Sequence, residues 1–158
     1  MRHSVSLLVV FSVGLAGGTT LGHAQGLSSE ERQDILAYKL DLPRANHLIT
    51  AMQAMTQYTV SLPDFQDRIV KSMKMTPAER RAQMEKDPKA MAILKENGLT
   101  APEYLTGVPA LRMALMTAQG VGGGPNVVAS PANVAFAKAN LAELKPKMDA
   151  ADGLVRPK

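Results

Sequence analysis

The chain has 158 residues, with 18 Lys and Arg against 14 Asp and Glu (formal charge +4), no Cys, no Trp, ten Met, three Tyr and three Phe. Without Cys there can be no disulfide scaffold, Cys-ligated zinc, iron–sulfur cluster, c-type haem, thiol nucleophile or lipoprotein anchor. The length fits one domain, and so mild a positive charge permits contact with an anionic surface without demanding a polyanion.

Residues 1–24 read as a secretory signal peptide. Arg2 and His3 give a positive start, residues 5–16 (VSLLVVFSVGLA) give an apolar stretch, and Gly22-His23-Ala24 places small residues where a signal peptidase checks them. The stretch is shorter than the roughly 20 residues of a membrane span. The expectation is therefore a cleaved leader, no stable membrane span afterwards, and a bacterial protein that is periplasmic or extracellular. Export argues against nucleic acid as a partner. The remaining residues 25–158 lose Arg2, so 18 − 1 = 17 basic residues face 14 acids, or +3.

Residues 25–153 are expected to form a single helical domain, because one local grammar recurs along them. Ser28–Glu31, Thr76–Glu79 and Thr100–Glu103 have capping-box spacing, in which each side chain satisfies an orphan amide of the other's residue. Asp87-Pro88 and Ser130-Pro131 put a cap before a proline at the first helical position, and Asp41 precedes Leu42-Pro43 similarly. Gly98 and Gly120 follow apolar-periodic runs, as left-handed C-terminal caps do. No alternating β-branched run competes, so the fold class is all-α.

In chain order, helices are expected over 29–39 and 43–60, the second with Ala45, Leu48, Ile49, Met52, Met55 and Thr59 on one face. A third over 63–74 would bury Phe65, Ile69 and Met73. A polar helix over 77–86 leads to one over 88–97 with Met91 and Leu94 inward. The most apolar covers 101–119, with Tyr104, Leu105, Val108, Leu111, Leu115 and Met116; inside it Pro109 removes the bond to the Leu105 carbonyl, which predicts a kink loosened by Gly107. Residues 120–129 (GVGGGPNVVA) read as a flexible Gly-rich loop. A last helix over 131–145 offers Val134, Ala137, Leu141 and Leu144, Pro146 breaks or bends it, and residues 154–158 read as a frayed tail. These spans are expected to consolidate into a small bundle of about five to six short helices.

Reactive chemistry is sparse. His47 is the one histidine left after cleavage, and no G-x-S-x-G turn presents a serine. Glu30 and Asp34 lie at a helix start, where the dipole already favours acids. Gly122-Gly123-Gly124 lacks the Lys-Ser/Thr of a phosphate loop. Nine methionines remain after cleavage, among them the i,i+3 pairs Met52/Met55 and Met113/Met116, and Met73-Lys74-Met75 before a cap. Thioethers bind soft Cu(I), and unbranched Met equally fills gaps in an aromatic-poor core or forms a pliable apolar groove. Arg68, Lys71, Lys74, Arg80 and Arg81, with Glu79 the one acid among them, suit an anionic surface or simply a solvated helix face. No residue is assigned a catalytic, cofactor-binding or metal-binding role, and no cofactor is expected.

Two stretches, DPKAMAILKENGLTAPEY (87–104) and SPANVAFAKANLAEL (130–144), together with the leader, resemble small secreted all-helical bacterial proteins of unassigned function. That resemblance implies fold and compartment only. Met75-Thr76-Pro77-Ala78-Glu79 and Leu99-Thr100-Ala101-Pro102-Glu103 also resemble the Leu-Thr-x-x-Gln helix opening of the Spy-type periplasmic chaperones, although both carry Glu for Gln and the first has Met for Leu. This second resemblance implies a basic helical surface with an apolar cradle for client proteins. The expected function is an exported, non-enzymatic helical domain that binds a protein, a peptide or an envelope component. The alternatives are a Spy-like client binder and a Met-based Cu(I) protein.

Overall fold

Caps set where the helices start. In a computed structural model, which describes residues 27–121 and 128–154, all three capping boxes close. Glu31, Glu79 and Glu103 donate their backbone N–H to Ser28 Oγ, Thr76 Oγ1 and Thr100 Oγ1 at 3.1, 3.2 and 3.3 Å. The backbone N–H of Ser28, Thr76 and Thr100 is taken up in return by the glutamate Oε2 at 2.9, 2.7 and 2.9 Å. Asp41 accepts from Arg44 N–H, Asp87 from Lys89 and Ala90, and Ser130 from Asn133. Each accepted bond removes an unsatisfied donor from a first turn. Gly98 and Gly120 adopt φ of 65° and 74°, the left-handed conformation foreseen for them.

The described residues form eight helices and no strand: α1 (Ser29–Ala37), α2 (Leu42–Ser61), α3 (Phe65–Met73), α4 (Pro77–Glu85), α5 (Pro88–Glu96), α6 (Ala101–Ala118), α7 (Pro131–Ala139) and α8 (Leu141–Gly153). The all-α class holds, while the count exceeds the expected five to six. One added element comes from a displaced break. The helix expected over 131–145 is cut at Asn140 rather than at Pro146. Asn140 leaves helical geometry (φ −115°, ψ 15°), and its side-chain amide donates to the Phe136 carbonyl at 2.8 Å, while its own carbonyl accepts from Leu144 at 2.9 Å. It thus ends α7 and starts α8 at once. Pro146 then falls in the second turn of α8, where it frees only the Ala142 carbonyl; both residues are exposed, so water reaches that oxygen. The signal peptide, residues 122–127 of the expected flexible loop, and the tail beyond Leu154 lie outside the described residues.

Helix α6 is the axis, packing against α1, α2, α4, α5, α7 and α8. It runs as continuous helix through Pro109. Its buried seam consists largely of small residues, Ala101, Gly107, Ala110 and Ala114, beside Leu111, Met113 and Leu115. Small side chains let six neighbours approach one helix. Leu48 from α2, Leu94 from α5, Leu111 from α6 and Leu144 from α8 are fully buried and close the centre. A smaller cluster, Ile35 with Ala110 and Met113, docks α1. Among the described residues no helix is long and apolar enough to cross a membrane.

Helix α3 departs from expectation. It buries nothing: Phe65 and Ile69 are half-buried, and Met73 is 62% exposed. Its packing is principally on α2. Neither does α4 bury a residue, although it packs on α5 and α6 and its half-buried Met84 rests against the central cluster.

Candidate functional site

Two polar constellations stand out. The first is a clasp. The connection between α1 and α2 is extended, which leaves backbone groups near Tyr38 and Leu40 without helical partners. Asn133, 3% exposed on α7, supplies both: Leu40 N–H donates to Asn133 Oδ1 at 3.1 Å, and Asn133 Nδ2 donates to the Tyr38 carbonyl at 2.8 Å. Asn133 was missed in the sequence because it stands three residues after Ser130, where it reads as part of a cap. It does accept that role with its backbone, leaving the amide free to reach across the fold. Above the clasp the Arg44 guanidinium lies 5.7 Å from the Tyr38 ring centroid. Tyr38 Oη is itself enclosed without a partner, and burial pushes its hydroxyl above the ordinary tyrosine range.

The second constellation is the α3–α4 hairpin, built from the basic run singled out above. Residues 68–81 hold five basic residues and one acid, +4, which equals the excess of the whole chain, 18 − 14; the rest of the sequence balances at 13 and 13. Between the two helices opens a cleft of about 540 Å3. It is lined by three carboxylates (Asp64, Asp67, Glu79), three cations (Arg68, Lys71, Lys86) and the apolar Met75 and Ala82. Gln83 also lines it, and its Oε1 is buried without a hydrogen-bond partner. Glu79 is held below the usual carboxylate range by the Thr76 backbone and hydroxyl donors of its own cap. A hydrogen bond and ion pair with Asp64 push Arg68 upward.

The five bases of the run differ in what they do. Arg68 pairs with Asp64 at 2.9 Å and Arg81 with Glu85 at 2.8 Å, each within its own helix. Arg80 ties elements together, donating from Nη2 to Glu31 Oε1 and from Nη1 to the Met75 carbonyl, both at 3.0 Å. Lys71 and Lys74 are exposed and have no ion-pair or hydrogen-bond partner among the described residues. Next to them, Val70 (52%) and Met73 are exposed as well. Of six exposed large apolar residues among those described, three, Val60, Val70 and Met73, fall within 60–73.

The remaining candidates disperse. His47 is exposed on α2, and Glu30 and Asp34 are exposed on α1. Among the described residues no three His, Asp or Glu side chains gather as a metal site requires. Met52 and Met113 are buried in the core, whereas their partners Met55 and Met116 are half-buried, so the four do not line an open groove. The Met52 sulfur lies 3.6 Å from Arg112 Nη2, whose guanidinium also pairs with Asp152 at 2.7 Å. Compared with known proteins, the chain matches no family model, no curated protein and no solved structure.

Proposed function

We propose that this chain is an exported, non-enzymatic helical domain that acts by binding a protein, a peptide or a component of the bacterial envelope, and that the α3–α4 hairpin is its contact surface. One observation carries the reading: all five bases of the run and two of the six exposed large apolar residues among those described, Val70 and Met73, lie on a hairpin that holds no fully buried residue. A surface that stabilises the fold so little is free to serve a partner.

The test is photocrosslinking in the secreting cell, with a photoreactive residue placed at Val70 or, as control, at Ala142 on the exposed side of α8. Adducts at Val70 and none at Ala142 are expected. Equal adducts at both sites, or none at either, would remove the hairpin as the contact surface. N-terminal sequencing of the native protein should begin at Gln25; an intact Met1 would contradict export by a cleaved leader.

A second reading, a client-binding chaperone, is favoured by the mixed charged and apolar lining of the cleft. It predicts that stoichiometric protein suppresses aggregation of an unfolded client, and no suppression retires it.

A further inference from the structure

We infer that the outward arc of α3 docks on the surface of an anionic lipid bilayer. The inference rests on the binding reading above and names its partner. Following the helical period, the exposed residues of α3 and its C-terminal cap run around one arc in the order Met73, Gln66, Val70, Lys74, Asp67, Lys71. Two large apolar side chains thus sit side by side with two unpaired lysines. One acid, Asp67, shares the arc, while Asp64 is engaged by Arg68.

That combination selects among anionic partners. A soluble polyanion would take the lysines and leave Val70 and Met73 in water. A bilayer interface takes both: the apolar side chains enter the boundary between headgroups and acyl chains, and the lysines extend their stems so that the ammonium groups stay among the phosphates. The arc lies on a helix packed principally on α2, and at its edge Asp67 and Lys71 also line the cleft toward α4. The charge agrees in sign, since residues 64–81 hold five basic residues against three acids, and on the arc itself the two lysines without partners outnumber Asp67.

The absence of Cys makes the test clean. Gln66→Cys places a single thiol on the arc, to be labelled with an environment-sensitive fluorophore in the full chain; Ala142→Cys places the same label on α8. With vesicles of phosphatidylcholine and phosphatidylglycerol, the emission of the Gln66 label should shift to the blue and that of the Ala142 label should not. Pure phosphatidylcholine should leave both unchanged, and high salt should reverse the shift. Adding Lys71→Gln and Lys74→Gln should weaken partitioning about thirtyfold, and Val70→Ser with Met73→Ser should abolish the shift while sedimentation through bulk charge persists. No shift of the Gln66 label on anionic vesicles, or an equal shift on neutral ones, overturns the inference. Should Val70 crosslink a protein in the cell while vesicles leave the label untouched, the binding surface stands and the lipid assignment falls. If neither occurs, both fall together.

Discussion

A Cβ at position 107 would stand 2.7 Å from Tyr38 Oη, 2.8 Å from Tyr38 Cζ and 2.9 Å from Leu48 Cδ1, closer than carbon atoms settle in proteins. Glycine at this site lets the Tyr38 ring and α2 reach the α6 backbone. For Gly107→Ala, overpacking costs about 1–3 kcal/mol and the better helix propensity of alanine returns about 1 kcal/mol, so a net loss of about 1–2 kcal/mol is expected in chemical denaturation. Tyr38→Phe, which removes the closest contact together with a hydroxyl lacking a partner, should recover part of that loss. The Asn133 clasp makes a second prediction. Asn133→Ala leaves the Leu40 N–H and the Tyr38 carbonyl without partners and opens a void, which should destabilise the fold by about 2–4 kcal/mol. A change within experimental error would mean that the connection between α1 and α2 is held by packing alone.

At the level of elements, a helix with no buried residue is anchored differently from one at the axis. Hydrogen exchange should therefore release the amides of α3 well before those of α6, with the C-terminal half of α2 between them. Equal protection in α3 and α6 would show that the hairpin belongs to the cooperative core. This is also where sequence and structure part company. Helix starts were legible almost to the residue, because a cap is local chemistry: Ser28, Thr76, Thr100, Asp87 and Ser130 need only their own next three residues. Amphipathic spacing was legible too, but it does not state whether a partner exists for the apolar stripe. Phe65, Ile69 and Met73 lie on one face of α3 as expected, yet α3 meets principally α2, and Met73 stays in water. The break at Asn140 was hidden for a related reason. Proline announces itself, whereas an asparagine ends a helix only when its amide folds back on the preceding turn. The basic run was visible as composition, but its division into paired arginines and unpaired lysines depends on neighbours such as Glu31 that are distant in sequence.

For the molecule as a whole, the three tyrosines provide a common gauge. Burial holds Tyr104 at a pKa of about 12 and raises Tyr38, and donation to the Asp87 carboxylate at 2.9 Å raises Tyr58. A group whose folded pKa lies above its unfolded value favours folding below that unfolded value, near 10, and the contribution is lost as pH climbs toward the folded value. Stability should therefore decline between about pH 10 and pH 12, and tyrosinate absorbance should rise together with the loss of helical circular dichroism. Three tyrosines titrating near pH 10 with helicity intact would contradict that coupling. At the acidic end the sign reverses. Glu79, Glu103 and Glu143 are held below their ordinary values, the first two by their caps and the third by hydrogen bonds from Lys147 and Asn46, so what they contribute is present above the usual carboxylate range and fades as pH falls through it.

The carboxylate of Glu31 divides its two oxygens between different tasks. One closes the first turn of α1, and the other holds Arg80, whose remaining nitrogen grips the backbone just before α4. A single side chain thus acts as a stay running from the leading edge of the domain to the elbow of the hairpin, 49 residues further along the chain. Slackening that stay at Ser28 would be felt at the elbow, which couples the first turn of α1 to the start of α4.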